Sequence, residues 1–227
     1  MMAGFDFRGL MKHSFRGTSF TEIYRQWVEA RMPERAIFYN AKSSGMIDIK
    51  RVFDVTVEGE IELKELIVRQ GWRSIENNDE RVWAIAGYVN GRLRYVNDRQ
   101  NYGKPEFWAD PYTTWFYKED DCDGFACLIA WLAWNSGIPR SRLWVEAGDV
   151  QVGKGAKTGG HAYCVYVAEK DNWQYVVEGS YYAREARSNF LKGKRKLQNS
   201  RYKSVWWRTT DKKSFSNIGE VEILRGD

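Results

Sequence analysis

The longest uninterrupted apolar run in this chain, Phe125–Trp134, is ten residues long. A membrane-spanning helix needs about 20, so the run excludes a transmembrane reading and belongs to a folded core. It forms the body of a helix with clear ends. Asp121 stands at the N-cap position, and Cys122, Phe125, Ala126, Ile129, Leu132 and Ala133 recur on one face. Gly137 and Pro139 stop the helix, as a C-terminus requires. The lead-in to this core helix, Glu119-Asp120-Asp121-Cys122-Asp123, puts a lone cysteine among four acids at the first turn.

The elements on either side indicate the class of fold. Ser19 and Glu22 have capping-box spacing, and Phe20, Ile23, Tyr24, Trp27 and Ala30 follow at helical intervals until Pro33. Residues 46–57 read as a strand that turns at Glu58-Gly59. A second helix opens near Asn78 or Asp79, buries Val82, Ile85, Ala86, Val89 and Leu93, and runs out around Asn97. A loop rich in aromatics spans Asp98 to Asp121. After the core helix come strands at Arg142–Val150, His161–Ala168 and Trp173–Glu178, with a glycine-rich connection from Gly153 to Gly160. Further strand-like stretches occupy Ser204–Thr210 and Gly219–Leu224. Helices first and a mainly antiparallel sheet second give an α+β architecture.

With 227 residues, the chain is expected to form one domain that buries roughly 70% of its unfolded surface, without disulfides or metal. Three cysteines cannot pair completely, which excludes a secreted disulfide scaffold. Residues 1–17 lack a signal-peptide apolar region, and a cytoplasmic setting is the expectation. No structural zinc site is expected. Cys122 and Cys127 differ in direction by about 140° on a regular helix, and His161 and Cys164 fall on opposite faces of a strand.

Cys122 differs in kind from Cys127 and Cys164, whose apolar flanks mark them as packing residues. At a helix N-terminus, unpaired N–H groups and the helix dipole favour a thiolate. The surrounding acids oppose it, so a thiolate here needs a cationic partner. The chain holds only two histidines, His13 and His161. His13 lies in a segment without periodicity, whereas His161 follows Gly159-Gly160 at a strand start, with an open side and a rigid base. The next strand ends at Glu178. Whether that carboxylate reaches His161 depends on the hairpin stagger about Asp171-Asn172.

Asp121-Cys122-Asp123-Gly124-Phe125-Ala126, Gly160-His161-Ala162, and Trp173 with Val176-Val177-Glu178 together resemble the transglutaminase-like superfamily. The stretches Tyr95-Val96-Asn97-Asp98 and Phe107-Trp108-Ala109-Asp110-Pro111 are similar to its bacterial cysteine proteinases. The three motifs arrive in order, with gaps of 39 and 17 residues, and the resemblance covers roughly residues 80–182. It divides the chain into an N-terminal extension (1–75), a transglutaminase-like core (76–182) and C-terminal strands with a basic loop (183–227). It implies a papain-like core, with a catalytic cysteine at a helix N-terminus against an antiparallel sheet that carries histidine and an acid. The implied triad is Cys122, His161 and Glu178, working by acyl transfer on a peptide or protein substrate, with hydrolysis the expected outcome. For the oxyanion, the Cys122 N–H is one donor, and Trp115 and Trp108 are candidates for another.

Three positions depart from the family pattern. Glu178 replaces the usual Asp, Asp120 replaces a glycine, and Gly124 replaces an acid that contributes to calcium binding in some relatives. No metal and no cofactor are therefore expected. Two rival readings stand beside the enzyme. One is a non-catalytic scaffold of the same fold. The other is a nucleic-acid binder. It would use Arg187, Lys192, Lys194, Arg195, Lys196, Arg201, Lys203 and Arg208, interleaved with Tyr202, Trp206 and Trp207; the net charge of +5 also suits an anionic partner.

Overall fold

A computed structural model describes residues 52–103, 106–152, 155, 157–212 and 214–216. The expected helix after Ser19, His13 and the stretch Gly219–Leu224 lie outside them. Among the described residues, helices come first. Helix α1 spans Val57–Gln70, α2 Asn78–Arg92, α3 Asp98–Tyr102, α4 Pro111–Tyr117 and α5 Cys122–Asn135. Two short parallel strands, β1 (Arg94–Tyr95) and β2 (Glu119–Asp120), hold the segment before Cys122 in place. The main sheet follows: β3 Leu143–Gln151, β4 Thr158–Val167, β5 Gln174–Val177, β6 Trp207–Thr209 and β7 Ser214–Ser216. Its order is β5-β4-β3-β6-β7 and every pairing is antiparallel. Helix α6, Ala183–Leu191, lies between β5 and β6 in the chain. The α+β expectation holds, and no described helix is long and apolar enough to cross a membrane.

Three local readings change. Residues 52–57 contain no strand. Thr56 caps α1 by accepting the Gly59 N–H at 3.1 Å, so Glu58 and Gly59 sit in the first helical turn. β-Branched residues that suggest a strand here supply a cap instead. Helix α2 ends at Arg92, with Leu93 as its C-cap. The Asp98–Asp121 loop contains two helices, each capped by its own side chain. Asn97 caps α3, and Asp110 caps α4 ahead of Pro111 at the first helical position, a start signal present in the sequence.

Helix α5 is buried at every residue from Asp123 to Trp134, because it packs against α2 and α4 on one side and β3 and β4 on the other. The sheet is also covered on its second face. Val150, Tyr163, Val165 and Val176 form a cluster there, with Trp144, Tyr182 and Tyr202 packed against it. The cover is a strap, residues 195–206. Its end runs along β3 with hydrogen bonds from Gln151 N–H to the Arg201 carbonyl at 2.7 Å and from Lys203 N–H to the Asp149 carbonyl at 2.8 Å. It comes so close that a Cβ on Gly148 would stand 1.9 Å from the Ser204 carbonyl oxygen. Only glycine fits at that crossing.

Candidate active site

Cys122 is the first residue of α5, and its position follows from the α5 N-terminus. The Asp121 side chain accepts the Asp123 N–H, and the first helical bond runs from Phe125 N–H to the Asp121 carbonyl. The thiol keeps partial access to solvent, whereas Cys127 and Cys164 are fully buried. Cys164 donates its S–H to the Ala126 carbonyl at 3.2 Å, tying β4 to α5. The Cys122 Sγ accepts the backbone N–H of Ala162 at 3.4 Å. That contact sets the thiol beside the residue that follows His161.

His161 is the fourth residue of β4 rather than its first, because the strand starts at Thr158. Val177 pairs with Cys164, and one further step of that register puts Glu178 against Tyr163, on the face His161 shares. The carboxylate therefore approaches the imidazole diagonally, two positions along, where the longer reach of Glu is an advantage. The His161 Nε2 lies 2.9 Å from Oε1 and 3.1 Å from Oε2 of Glu178. Both residues are buried. Tyr163 stacks along the imidazole and Tyr182 meets it edge-on, with centroids 6.1 and 5.7 Å away. Burial disfavours the imidazolium, but the charge and hydrogen bonds of Glu178 outweigh it and hold the His161 pKa above its ordinary value.

The thiol behaves differently from the expectation for a helix N-terminus. Its buried setting first, then the negative charge of Asp121, push the Cys122 pKa well up, and the Ala162 N–H only partly offsets this. Burial together with the Asp121 charge thus favours the neutral thiol as the resting form. A sulfur nucleophile here needs a base at the moment of attack, not a preformed thiolate.

The oxyanion candidates fare differently from the triad residues. Trp115 packs on Tyr88 with a centroid distance of 6.1 Å and carries the Lys118 ammonium over its ring. The Trp108 indole packs on Trp207 and donates its N–H to Glu106 at 3.0 Å. Part of the basic segment is also engaged. Lys196 pairs with Glu146 and Arg201 with Glu185, Arg195 lies 3.3 Å above the Trp173 ring, and the Trp206 indole donates to Asp149 at 3.0 Å.

The sequence leaves the acids dispersed, but the structure gathers them. Asp98, Glu106 and Asp123 bring ligand-capable oxygens within 4.8 Å of one another, as do Asp98, Asp120 and Asp121. Asp98 and Asp123 are each only 2% exposed, yet Asp98 Oδ1 and Asp123 Oδ2 have no hydrogen-bond partner. Burial and neighbouring acids push Asp98 up to about 9 and Asp120 up to about 8. Asp120 is otherwise satisfied by Tyr102, Thr114 and the Asp121 N–H, at 3.1, 2.6 and 2.9 Å. A Cβ at Gly124 would meet Asp120 Oδ2 at 2.2 Å. Two of the departures from the family pattern are thus one spatial exchange: the acid at 120 fills the space a side chain at 124 would need.

Neither a protein-family model nor a curated protein sequence matches this chain. Solved structures do. Calcium-bound LapG of Legionella pneumophila superposes with a TM-score of 0.50 at 11% identity, over 79% of this chain and 87% of that one. EGTA-treated LapG of the same organism superposes with a TM-score of 0.52 at 11% identity, over 76% and 90%. At this identity the likeness shows the fold alone: the chain has a transglutaminase-like, papain-like architecture.

Proposed function

We propose that the protein is a cysteine-dependent acyl-transfer enzyme that hydrolyses peptide bonds, with Cys122 as nucleophile, His161 as acid–base and Glu178 as its orienting carboxylate. Two observations carry this reading: the Glu178–His161 contact, and the Cys122 Sγ that accepts the N–H of Ala162, the residue after His161. Glu178 accepts the Nε2–H, which leaves the Nδ1 lone pair as the basic atom of the ring. His161 takes the thiol proton as sulfur attacks the scissile carbonyl carbon, and the carbonyl π electrons move to oxygen. The Cys122 N–H, ahead of the first helical bond, supports the oxyanion. Collapse of the tetrahedral intermediate breaks the C–N bond, and the imidazolium gives its proton to the departing amine. Water then attacks the thioester carbonyl while His161 takes its proton. Cleavage of the C–S bond frees the acid, and the thiol regains its proton from the imidazolium.

The test is Cys122→Ala with a panel of peptide substrates. Loss of turnover to background is expected, with stability changed by less than about 1 kcal/mol because the small, partly buried thiol contributes little packing. Retained turnover would sink the proposal.

Calcium, present in one of the LapG structures, fits the acidic cluster. The orphaned oxygens of Asp98 and Asp123 are hard ligands of the kind it takes, and Asp98, Glu106 and Asp123 would hold it. Bound there, it would neutralise the charge that keeps the Cys122 thiol high. Calcium added to EGTA-treated protein should raise the melting temperature, and Asp98→Asn should remove that rise. No rise in the parent protein would show that the cluster holds only protons.

A further inference from the structure

We infer that Tyr202 is a positioning residue for the catalytic carboxylate: it clamps Glu178 through a direct hydrogen bond and so fixes the imidazole of His161. The inference rests on the reading above. The Tyr202 hydroxyl donates to Glu178 Oε1 at 2.6 Å, the same oxygen that lies 2.9 Å from His161 Nε2. Glu178 therefore receives donors from two directions, and its rotamer is fixed by both.

The need for a clamp follows from the residue type. Glu has one more rotatable bond than Asp, so a strand-end glutamate aimed at a diagonal neighbour has more orientations to lose. Tyr202 supplies the constraint from a rigid base. Its backbone forms an antiparallel bridge with Val150, and its ring meets Tyr163 edge-on at 4.6 Å. Arg201, the preceding residue, is tied to Glu185 at 2.7 Å and to the Gln151 carbonyl at 2.9 Å. Burial and the Glu178 charge push the Tyr202 pKa well up, so its hydroxyl keeps the proton it donates. The clamp comes from the strap, which lies beyond the stretch that resembles the cysteine proteinases. The core and strap together complete the site.

Tyr202→Phe keeps the ring and removes only the hydroxyl. With one donor fewer, the Glu178 charge falls more heavily on the imidazole. The His161 pKa, read by NMR in a chain with only two histidines, should rise by about half a unit or more. In a Glu178→Gln background the same substitution should leave the His161 pKa unmoved. Turnover should follow: Tyr202→Phe lowers kcat about 10- to 100-fold with KM little changed, the loss expected for a hydrogen bond to a charged group. In the Glu178→Gln background it should cost less than about twofold, the non-additivity of residues acting as a unit. An unmoved pKa, equal effects in both backgrounds, or an unchanged kcat would each overturn the clamp. Turnover that survives Cys122→Ala would instead bring down the functional reading, while the titration still tests the contact between Tyr202 and Glu178.

Discussion

Two groups of buried carboxylates among the described residues are built in opposite ways. On the strap face of the sheet, Glu146 and Glu178 are fully partnered. Glu146 accepts from the Trp144 indole at 2.8 Å and from the Tyr163 hydroxyl at 3.2 Å, and it pairs with the Lys196 ammonium. Glu178 accepts from His161 and Tyr202. At the N-terminus of α5, Asp98, Glu106 and Asp123 crowd together, and two of their oxygens have no donor. Burial is costly for any of these groups. In the first region charges and donors already in the chain offset the cost. In the second, protons or a bound cation must do so, and burial with the neighbouring acids raises the pKa values of Asp98 and Asp120 in the direction that favours protons.

The sharpest break in the comparison comes from the Glu178 carboxylate. Glu178→Gln keeps an acceptor for the imidazole N–H but removes the negative charge. Orientation by the third member is worth up to about 10⁴-fold in serine triads, and cysteine pairs depend on it less. Turnover should therefore fall far more than substrate affinity. The pH dependence carries a sign as well. His161 must be neutral to accept the thiol proton, and Glu178 holds its pKa above the ordinary value, so in the parent protein turnover should rise with pH through that raised value. In Glu178→Gln burial and the Arg201 charge lower the imidazole pKa, opposed only by the charge of Asp121, and the acid limb should move to lower pH. An unmoved limb with full turnover would make Glu178 a bystander.

The next contrast concerns stability. Lys196→Met removes the cation of a completed site and leaves Glu146 buried beside two neutral donors. Breaking a buried pair from one side costs about 3–5 kcal/mol, and the partial exposure of Lys196 puts this one at the low end. Asp98→Asn does the reverse: it removes an acid from a cluster with no cation, so in EGTA the variant should be at least as stable as the parent. Thermal or urea unfolding in EGTA reads both. If Asp98→Asn is destabilised as much as Lys196→Met, the acidic cluster is already balanced and the contrast fails.

How much of this was legible in the chain depended on how local each signal was. The core helix, its Asp121 cap and its stop were readable because capping and periodicity act within a few residues. The hairpin carrying His161 and Glu178 was readable in outline. Its register was not, since one residue of stagger decides which face a side chain takes. Helix α1 was missed because Val55, Thr56 and Val57 favour strands by composition, and only the Thr56 hydroxyl, bonded to Gly59, turns them into a helix start. Tyr202 gave no signal as a partner of Glu178: 24 residues separate them, and the strap joins them only once the sheet has formed. In the sequence it reads as one member of a basic, aromatic stretch, and only the structure shows that Lys196 pairs with Glu146, Arg201 with Glu185 and Tyr202 with Glu178.

The smallest expected effect is the most local one, at Gly124. Its missing side chain leaves room for the Asp120 carboxylate, and an added Cβ would meet Oδ2 at 2.2 Å and Cγ at 2.3 Å. Asp120 cannot simply rotate away, because Tyr102, Thr114 and the Asp121 N–H hold both of its oxygens. Gly124→Ala should therefore cost about 1–3 kcal/mol by overpacking, despite the better helix propensity of alanine. Asp120→Gly alone removes the clash partner but strands two buried hydroxyls. In the double variant Asp120→Gly/Gly124→Asp the acid returns across the same gap, so its loss of stability should be smaller than the sum of Asp120→Gly and Gly124→Asp taken singly. Strict additivity, read by urea unfolding, would mean that the two positions changed independently and that no acid was exchanged between them.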